Sequence, residues 1–137
     1  MKNIDLLAIN FEKFIQNNKN IFIGKNIAIA ISGGADSLAL AILANKYKYK
    51  YNYKLIAFSI DHQLRSEAAK EVRYVKNLMN SINIKHHTLV WTAIKPKTKI
   101  QESARIARYA LLSEACNKHQ CDNVLLGHHA DDQIETF

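Results

Sequence analysis

Hydrophobic residues recur along the chain with two different periods, which predict alternating helices and strands. Ile4, Leu7 and Phe11 follow helical spacing, so an amphipathic helix is predicted over about residues 3–17. The next apolar run, residues 27–31, is short and rich in β-branched side chains, which favours a strand buried on both faces. Three later segments are also predicted to be strands: residues 54–60, 84–91 and 123–126.

Helical spacing returns between these strands. A helix is predicted over about residues 36–48, after the first strand. The second strand is followed by Ser66, a residue type that favours the N-cap position of a helix. The apolar stripe of that helix consists of Ala68, Val72, Val75, Met79 and Ile82.

Another helix is predicted after Pro96, where Thr98 and Gln101 have the spacing of a capping box. Its predicted buried face consists of Ile100, Ala104, Ala107 and Leu111. The residues from Ala130 onward indicate the start of a last helix. Because strands and helices alternate at this rhythm, we predict a parallel sheet with right-handed crossovers.

Unusual polar residues follow three of the predicted strands. These are Ser32–Ser37 after the first strand, Asp61, His62 and Arg65 after the second, and residues 127–132 after the fourth. Open α/β sheets bind ligands outside the carboxyl ends of their strands, near the point where strand order reverses. We therefore expect three loops to converge on one rim of the sheet.

The first loop, residues 32–37, has the sequence Ser-Gly-Gly-Ala-Asp-Ser between a strand and a helix, and we call it the phosphate loop. Its glycines allow close approach, so successive backbone N–H groups can form an anion site at the helix N-terminus. Ser32 and Ser37 add hydroxyl donors. The loop matches neither the Walker nor the dinucleotide-binding pattern. The alternative interpretation is a tight turn with a Ser or Asp helix cap.

In this setting the loop resembles that of the PP-loop, or N-type, ATP pyrophosphatase family. The resemblance implies that ATP, which is split into AMP and pyrophosphate, is bound by Ser32, Gly33, Gly34, Ala35, Asp36 and Ser37. Asp61 and His62 are assigned to the same ATP site. A carboxylate beside a polyphosphate repels it unless a cation lies between them, so Asp36, Asp131 and Asp132 are predicted ligands of Mg2+.

The last loop continues as Gly-His-His-Ala-Asp-Asp-Gln-Ile-Glu-Thr over residues 127–136, which we call the acidic motif. Its adjacent carboxylates suit a hard cation. A zinc site is disfavoured because neither an H-E-x-x-H pattern nor a cysteine set is present, and plain helix capping is a further alternative. Asp131 and Glu135 are four residues apart, so on a helix they would share a face and could receive a substrate ammonium group.

Gln101, Arg105 and Arg108 form a polar stripe on the helix after the third strand, opposite its apolar stripe. Guanidinium groups there could contact phosphate or stabilise negative charge on a displaced oxygen. The alternative is a solvated polar face on which Gln101 only caps the helix.

Together these motifs resemble a narrower branch of the family, the tRNA(Ile)-lysidine synthases. The matching segments are residues 32–37, 61–67, 101–109 and 128–136. The His-His-x-Asp-Asp run also occurs in tRNA thiolation enzymes, so only the combination of all four segments indicates this branch of the family. The thiolation enzymes place a Cys-x-x-Cys where this chain has Ile100 to Arg105, which disfavours sulfur transfer here.

The second resemblance implies a ligase that forms a C–N bond. ATP activates the C2 oxygen of the wobble cytidine of CAU-anticodon tRNA(Ile), pyrophosphate leaves, and free L-lysine displaces AMP. The implied catalytic residues are Asp36, Arg105, Arg108 and Asp132, and the implied lysine-binding residues are Asp131 and Glu135. No general base is identified beyond His129 as a candidate. The alternatives are a thiolation enzyme and a fragment that binds ATP without catalysis.

The resemblance also implies an α/β, parallel-sheet, three-layer fold, the Rossmann-like PP-loop ATPase fold of the adenine nucleotide alpha hydrolase-like type. The family pattern continues beyond Phe137. We therefore expect residues 1–137 to form a single N-terminal PP-loop ATP pyrophosphatase domain, incomplete at its C-terminus and without the family's C-terminal tRNA-binding domains. A homodimer is compatible with this expectation.

Composition adds weaker constraints. The 137 residues carry 19 Lys and Arg against 12 Asp and Glu, and the net charge of +7 favours a polyanion such as RNA, although an A/T-rich genome would produce a similar lysine excess. Cys116 and Cys121 form no disulfide framework, and no apolar run could cross a membrane, so a cytoplasmic protein without a membrane partner is expected. Residues 46–54 interleave Lys with Tyr, which fits either RNA contact or a solvated helix end.

Overall fold

A computed structural model describes residues 4–32, 34–63, 67–92, 97–127 and 133–136 of the chain, with side chains except in residues 4–8 and 133–136. The strands within these ranges are β1 (Asn26–Ala30), β2 (Lys54–Asp61), β3 (Lys85–Val90), β4 (Cys121–Leu126) and β5 (Gln133–Thr136). The helices are α1 (Ile4–Asn17), α2 (Lys19–Phe22), α3 (Ala35–Tyr47), α4 (Ala68–Ser81) and α5 (Ile100–Lys118). None of these helices is long and apolar enough to cross a membrane.

The strands form one sheet in the order β3-β2-β1-β4-β5. β1 pairs in parallel with β2 and β4, and β2 pairs in parallel with β3, which confirms the predicted parallel sheet. At the end of β1, Ala30 lies beside Phe58 on one side and Leu126 on the other. The three central strands therefore present their carboxyl ends at the same edge.

Side chains of β1 alternate between two hydrophobic cores, one on each face of the sheet. Ile27, Ile29 and Ile31 belong to the core that includes α1, α3 and α4. Ala28 and Ala30 belong to the core that includes α5. Helices thus cover both faces, which confirms the three-layer α/β fold and explains why β1 is almost uniformly apolar.

The predicted final helix is wrong. Residues Gln133–Thr136 form β5, which pairs antiparallel with β4 and places Gln133 opposite Leu126. As a strand, this segment satisfies the backbone groups along the edge of β4 that would otherwise be unpaired. Glu135 therefore cannot share a helix face with Asp131, which lies outside the described residues.

The predicted helix caps are also wrong. The N-cap of α5 is Lys99, which has a left-handed backbone (φ 52) and makes no capping hydrogen bond through its side chain. Because this conformation starts the helix one residue later than predicted, Thr98 and Gln101 do not form a capping box. In α4 the N-cap is Glu67 rather than Ser66, and Ser66 lies outside the described residues.

Helix α5 buries a different face from the predicted one. Leu112, Ala115 and Cys116 are buried against the sheet, whereas Ile100 is 38% exposed and Leu111 is only partly covered. The contact with the core is thus concentrated in the C-terminal half of the helix. Its N-terminal half is left to the site at the edge of the sheet.

The tyrosines of residues 46–54 serve the fold. Tyr47 and Tyr53 are buried, and the hydroxyl of Tyr51 donates to Glu12 at 2.6 Å. Tyr49, in contrast, is 86% exposed. Three of the four tyrosines therefore pack within the fold, and RNA contact by the segment stays a prediction that depends on Tyr49.

Candidate nucleotide site

The order of the strands reverses between β1 and β4. From β1 the chain proceeds to β2 and then β3, and α5 returns it across the other face to β4, beside β1. A crevice forms outside the carboxyl ends of the strands at such a switch point, and it is where open α/β sheets bind ligands. The phosphate loop follows β1 and the acidic motif follows β4, so both motifs begin at this point.

Gly127 brings the end of β4 directly against the start of α3. A Cβ atom at Gly127 would lie 2.7 Å from Cα and 2.9 Å from the amide nitrogen of Ser37, and 3.1 Å from the carbonyl carbon of Asp36. Only glycine fits this approach, because the neighbouring atoms belong to the backbone. The acidic motif therefore begins in contact with the phosphate loop.

Hydroxyl groups tie the phosphate loop together. The Ser37 hydroxyl donates to the Gly34 carbonyl at 3.1 Å and accepts from the Ser32 amide at 3.2 Å. The Gly34 amide donates to the Ser32 hydroxyl at 3.3 Å, and the two hydroxyl oxygens are 3.3 Å apart. Two of the amides predicted to face an anion are thus bonded to the loop's own serines. Gly33 lies outside the described residues.

The amides of the site that lack an acceptor within the helix are those of the first turn of α3. The first backbone hydrogen bond of the helix runs from the Leu38 amide to the Gly34 carbonyl at 3.2 Å. The amides of the preceding turn, residues 35–37, therefore have no helical acceptor, and such groups together with the helix dipole attract anions. The anion site stays a prediction, and these amides place its expected centre nearer the helix than the glycines do.

A cavity of about 630 Å³ lies at this edge of the sheet. The ends of β1 and β2 form its floor, and the first turn of α3 with the N-terminal halves of α4 and α5 form its sides. Its lining from the phosphate loop and the acidic motif consists of Ser32, Ser37 and Gly127. Apolar side chains on the floor include Ile31, Phe58 and Ile60. The dimensions and mixed lining suit an organic ligand with a charged end.

The polar stripe of α5 faces this cavity in part. Gln101 and Arg108 line it, Arg108 as a partly buried side chain and Gln101 as an exposed one, so the solvated-face alternative stays open for Gln101. Arg105 is exposed and does not line the cavity, although the guanidinium carbons of both arginines lie 5.8 Å from the ring centre of Tyr109. The structure thus separates the two arginines that the sequence treats alike.

Asp61 and His62, both predicted to bind ATP, differ in whether they reach the cavity. His62 lines the cavity and makes an edge contact with Trp91, with ring centres 5.8 Å apart. A carboxylate oxygen of Asp61 accepts from the Gln63 amide at 2.9 Å, and Gln63 has a positive φ of 56°. Asp61 therefore stabilises the turn, and only His62 of this pair reaches the cavity.

Asp36 is exposed in the first turn of α3 and does not line the cavity. Within the described ranges, no three His, Cys, Asp or Glu residues lie close enough together to hold a metal ion. Asp131 and Asp132, like Arg65, His128 and His129, fall outside those ranges. The described residues support a Mg2+ site only through the path of the chain. The backbone of Asp36 touches Gly127, which lies four residues before Asp131 in the sequence.

A serine–histidine pair at the cavity floor is absent from the residues that the sequence motifs indicate. Ser59 of β2 lines the cavity, and its hydroxyl lies 2.8 Å from Nε2 of His86 on β3. Burial, and to a smaller extent Lys76 and His87, lower the pKa of His86 to about 4. The imidazole is therefore neutral at physiological pH. No sequence motif marks this pair, since its members are joined only by the pairing of β2 with β3.

Comparison with known proteins defines the class of this chain. The PP-loop domain family matches residues 5–137, and the chain belongs to that family. Two relatives are curated as tRNA(Ile)-lysidine synthase. The protein of Orientia tsutsugamushi (strain Boryong) is 42% identical over 111 residues, and that of Rickettsia akari (strain Hartford) is 40% identical over 130 residues. These matches cover 81% and 93% of this chain but only 25% and 30% of the relatives.

Solved structures support the same fold. The U34-tRNA thiolase NcsA from Methanococcus maripaludis, with its 4Fe-4S cluster, matches 92% of this chain and 45% of its own with a TM-score of 0.78 and 18% identity. An NH3-dependent NAD synthetase from Campylobacter jejuni matches 90% of this chain and 56% of its own with a TM-score of 0.66 and 16% identity. At these identities the likeness concerns the fold alone.

Replacing Gly127 by Ala should destabilise the protein, because the new methyl group would overlap the backbone of Ser37. We expect the free energy of unfolding in urea to fall by about 1–3 kcal/mol. Gly34→Ala is the matched control, since a Cβ there would meet its nearest atom, the Ser32 hydroxyl oxygen, at 3.4 Å. That change should cost less than about 1 kcal/mol. Equal losses in the two variants would contradict the close approach.

The lowered pKa of His86 predicts a loss of stability in acid. The folded state favours the neutral ring, so the contribution of His86 is complete above the unfolded pKa near 6.5 and is lost as the pH falls toward 4. Allowing for solvent screening, we expect a loss on the order of 1–2 kcal/mol between these limits. His86→Gln should lack this component in urea unfolding at each pH. An unchanged pH profile in that variant would refute the assignment.

Proposed function

We propose that the chain carries the nucleotide-binding and catalytic part of a cytoplasmic tRNA(Ile)-lysidine synthase. In this reaction ATP adenylates the C2 oxygen of the wobble cytidine of CAU-anticodon tRNA(Ile), with release of pyrophosphate. The ε-amine of free L-lysine then displaces AMP and forms the C–N bond. The main support is the contact of Gly127 with the phosphate loop, in a chain 40% identical to a lysidine synthase over 130 residues.

The phosphate loop would hold the polyphosphate of ATP. The amides of the exposed residues 35 and 36, which have no acceptor within the helix, provide the first donors. The hydroxyls of Ser32 and Ser37 can exchange their mutual contact, with 3.3 Å between the oxygens, for shorter charge-assisted bonds to phosphate oxygens. That exchange would also release the amides of Ser32 and Gly34 toward the ligand. The serine hydrogen bonds of the phosphate loop are thus arranged so that bonds to phosphate oxygens can replace them.

Asp36, Asp131 and Asp132 are the proposed ligands of Mg2+. When bound, the ion would neutralise charge on the polyphosphate and on the departing pyrophosphate. Asp36 suits this role because it is exposed in the first turn of α3, beside the open amides. Its carboxylate would otherwise repel the polyphosphate that those amides attract.

Arg108 is the proposed stabiliser of charge that develops when C2 oxygen attacks the α-phosphate. It lines the cavity together with Gln101, on the side opposite α4 and its Glu71. A fixed guanidinium in a partly enclosed cavity is worth more than one in water, because less solvent screens it. Arg105 is exposed, so we assign it no contact with the nucleotide.

Asp131 is a better candidate than Glu135 for binding the lysine substrate. On β5, Glu135 pairs with Val124, two residues inside the sheet from Leu126 at its carboxyl edge. The backbone of Glu135 therefore runs away from the rim where the cavity lies. Asp131 falls between β4 and β5 in the sequence, closer along the chain to Gly127. His129 stays a candidate base for the lysine ammonium group.

A thiolation enzyme is the second candidate, and the chemistry of the cysteines argues against it. Cys116 and Cys121 are buried, away from the cavity lining. Burial raises the pKa of the Cys116 thiol to about 11 and that of Cys121 to about 12. Such thiols are poor nucleophiles and poor metal ligands at neutral pH, because the reactive form is the thiolate. Sulfur transfer thus lacks a carrier among the described residues.

The function can be tested with the purified chain, radiolabelled ATP, Mg2+, lysine and CAU-anticodon tRNA. Formation of AMP that requires both lysine and the tRNA is the expected result. Incorporation of sulfur into the tRNA would instead establish a thiolase. Binding of ATP without cleavage would reduce the chain to a nucleotide-binding module, and no binding would refute the proposed site.

Asp36→Asn should abolish turnover while preserving the fold, because the amide keeps the shape of the side chain and removes its charge. AMP formation and the urea unfolding midpoint are the two measurements. Asp122→Asn, an exposed position at the other end of β4, is the control and should keep full activity. Unchanged AMP production by the Asp36 variant would exclude a role in holding the cation.

Arg108→Ala should lower kcat/KM about 100-fold or more, the usual effect of losing one group that stabilises transition-state charge. Arg105→Ala lies on the same helix and is the matched control, with a change of less than about threefold expected. The comparison requires steady-state rates of lysine-dependent AMP formation. Equal losses, or a larger loss in the Arg105 variant, would contradict the division of roles.

A further inference from the structure

Ser59 is an unusual residue in its surroundings. It is 2% exposed, and besides Ser37 no other Ser, Thr, Asn, Gln, His or charged side chain is buried within the described residues. Its neighbours along β2, Phe58 and Ile60, are apolar, and all three residues line the cavity. Burying a hydroxyl among apolar groups is unfavourable unless it is hydrogen-bonded. The partner of Ser59 is therefore informative.

That partner, His86, is held with one ring nitrogen on Ser59 and the other in the protein interior. Nε2 lies 2.8 Å from the Ser59 hydroxyl oxygen, whereas Nδ1 is buried without a hydrogen-bond partner in the described part of the chain. A neutral imidazole carries a single N–H. A buried N–H without an acceptor is a rarer and costlier defect than a buried acceptor without a donor.

The tautomer with the proton on Nε2, which donates to the Ser59 oxygen, avoids that defect. Nδ1 is then an acceptor, and the hydroxyl proton of Ser59 is left available to a third group. No other hydrogen bond of this hydroxyl is found among the described residues. The pair thus presents one oriented neutral donor in a largely apolar wall, which is the arrangement by which pockets orient organic ligands.

We propose that Ser59, oriented by His86, donates a hydrogen bond to an acceptor atom of the nucleoside of ATP and so fixes the nucleoside in the cavity. This inference rests on the proposed ATP site. His86 is a positioning residue, and Ser59 is a specificity-determining one.

The position of Ser59 relative to the phosphate loop agrees with this assignment. The Ile31 amide donates to the Phe58 carbonyl at 2.9 Å, so Ser59 and Ser32 lie just beyond this bond on neighbouring strands. Neighbouring strands are about 4.8 Å apart. A nucleotide whose polyphosphate lies on the phosphate loop can therefore place its nucleoside over β2. A phosphate group fits less well there, because Ser59 offers a single neutral donor among apolar side chains.

Calorimetric titration with the two halves of the ligand separates the subsites. Ser59→Ala should weaken AMP binding about five- to tenfold, the effect of one hydrogen bond, and leave pyrophosphate binding within about twofold. Thr88→Val removes an exposed hydroxyl from the residue that pairs with Ser59 on β3 and should change neither. Loss of both affinities, or of neither, in Ser59→Ala would overturn the inference.

Variants at position 86 test the orienting role. Gln can supply an N–H near the place of Nε2, so His86→Gln should bind AMP within about twofold of the unsubstituted chain. His86→Leu should lose as much AMP affinity as Ser59→Ala. If Ser59→Ala fails to fold, His86→Leu tests whether the Ser59–His86 pair contributes to AMP binding. Equal AMP affinity in the Gln and Leu variants would refute positioning by His86.

Titration of the unsubstituted chain with pyrophosphate and with AMP distinguishes failure of the nucleoside subsite from failure of the proposed function. Binding of pyrophosphate without AMP would leave the phosphate loop intact as a site and contradict the nucleoside subsite. Binding of neither ligand would overturn the proposed function and this inference together.

Discussion

The site depends on one steric constraint, the approach of Gly127 to the backbone of Ser37. Two parallel strands end side by side at the switch point, and the loops that leave them must occupy the same small space. A side chain at residue 127 would push β4 away from α3, since its Cβ would come within 3.0 Å of two backbone atoms. Without one, the acidic motif begins on the helix end that offers open amides. Anion-binding and cation-binding groups are thus brought together by the sheet itself.

The phosphate loop is held ready by its own serines. Their bonds, at 3.1–3.3 Å, are near the long end of the range for hydroxyl donors and acceptors, so a charged ligand can replace them at little cost. Behind the loop, the cavity changes from polar to apolar along β2, where Ser59 is the buried exception. This gradient matches a nucleotide, which is charged at one end and a flat heterocycle at the other.

The periodicity of the sequence was sufficient for the sheet, because β1 and its neighbours are short apolar runs that only a doubly covered strand explains. It failed at the chain's last described residues, where pairing with the edge of β4 overrode the helical pattern. It also missed the left-handed Lys99, which shifts the start of α5. Ser59 and His86 were beyond its reach, since 27 residues separate them and only strand register joins them. Equally, sequence alone could not distinguish Arg108 from Arg105.

The central claim is that open amides at the start of α3, held against Gly127, form the anion site. The most direct measurement is the shift of backbone amide resonances when pyrophosphate is added to the isotopically labelled chain. The account predicts the largest shifts at residues 35–37 and Gly127, with little change at Lys54 and Lys85, where β2 and β3 begin. Largest shifts at those lysines, with residues 35–37 unmoved, would contradict it.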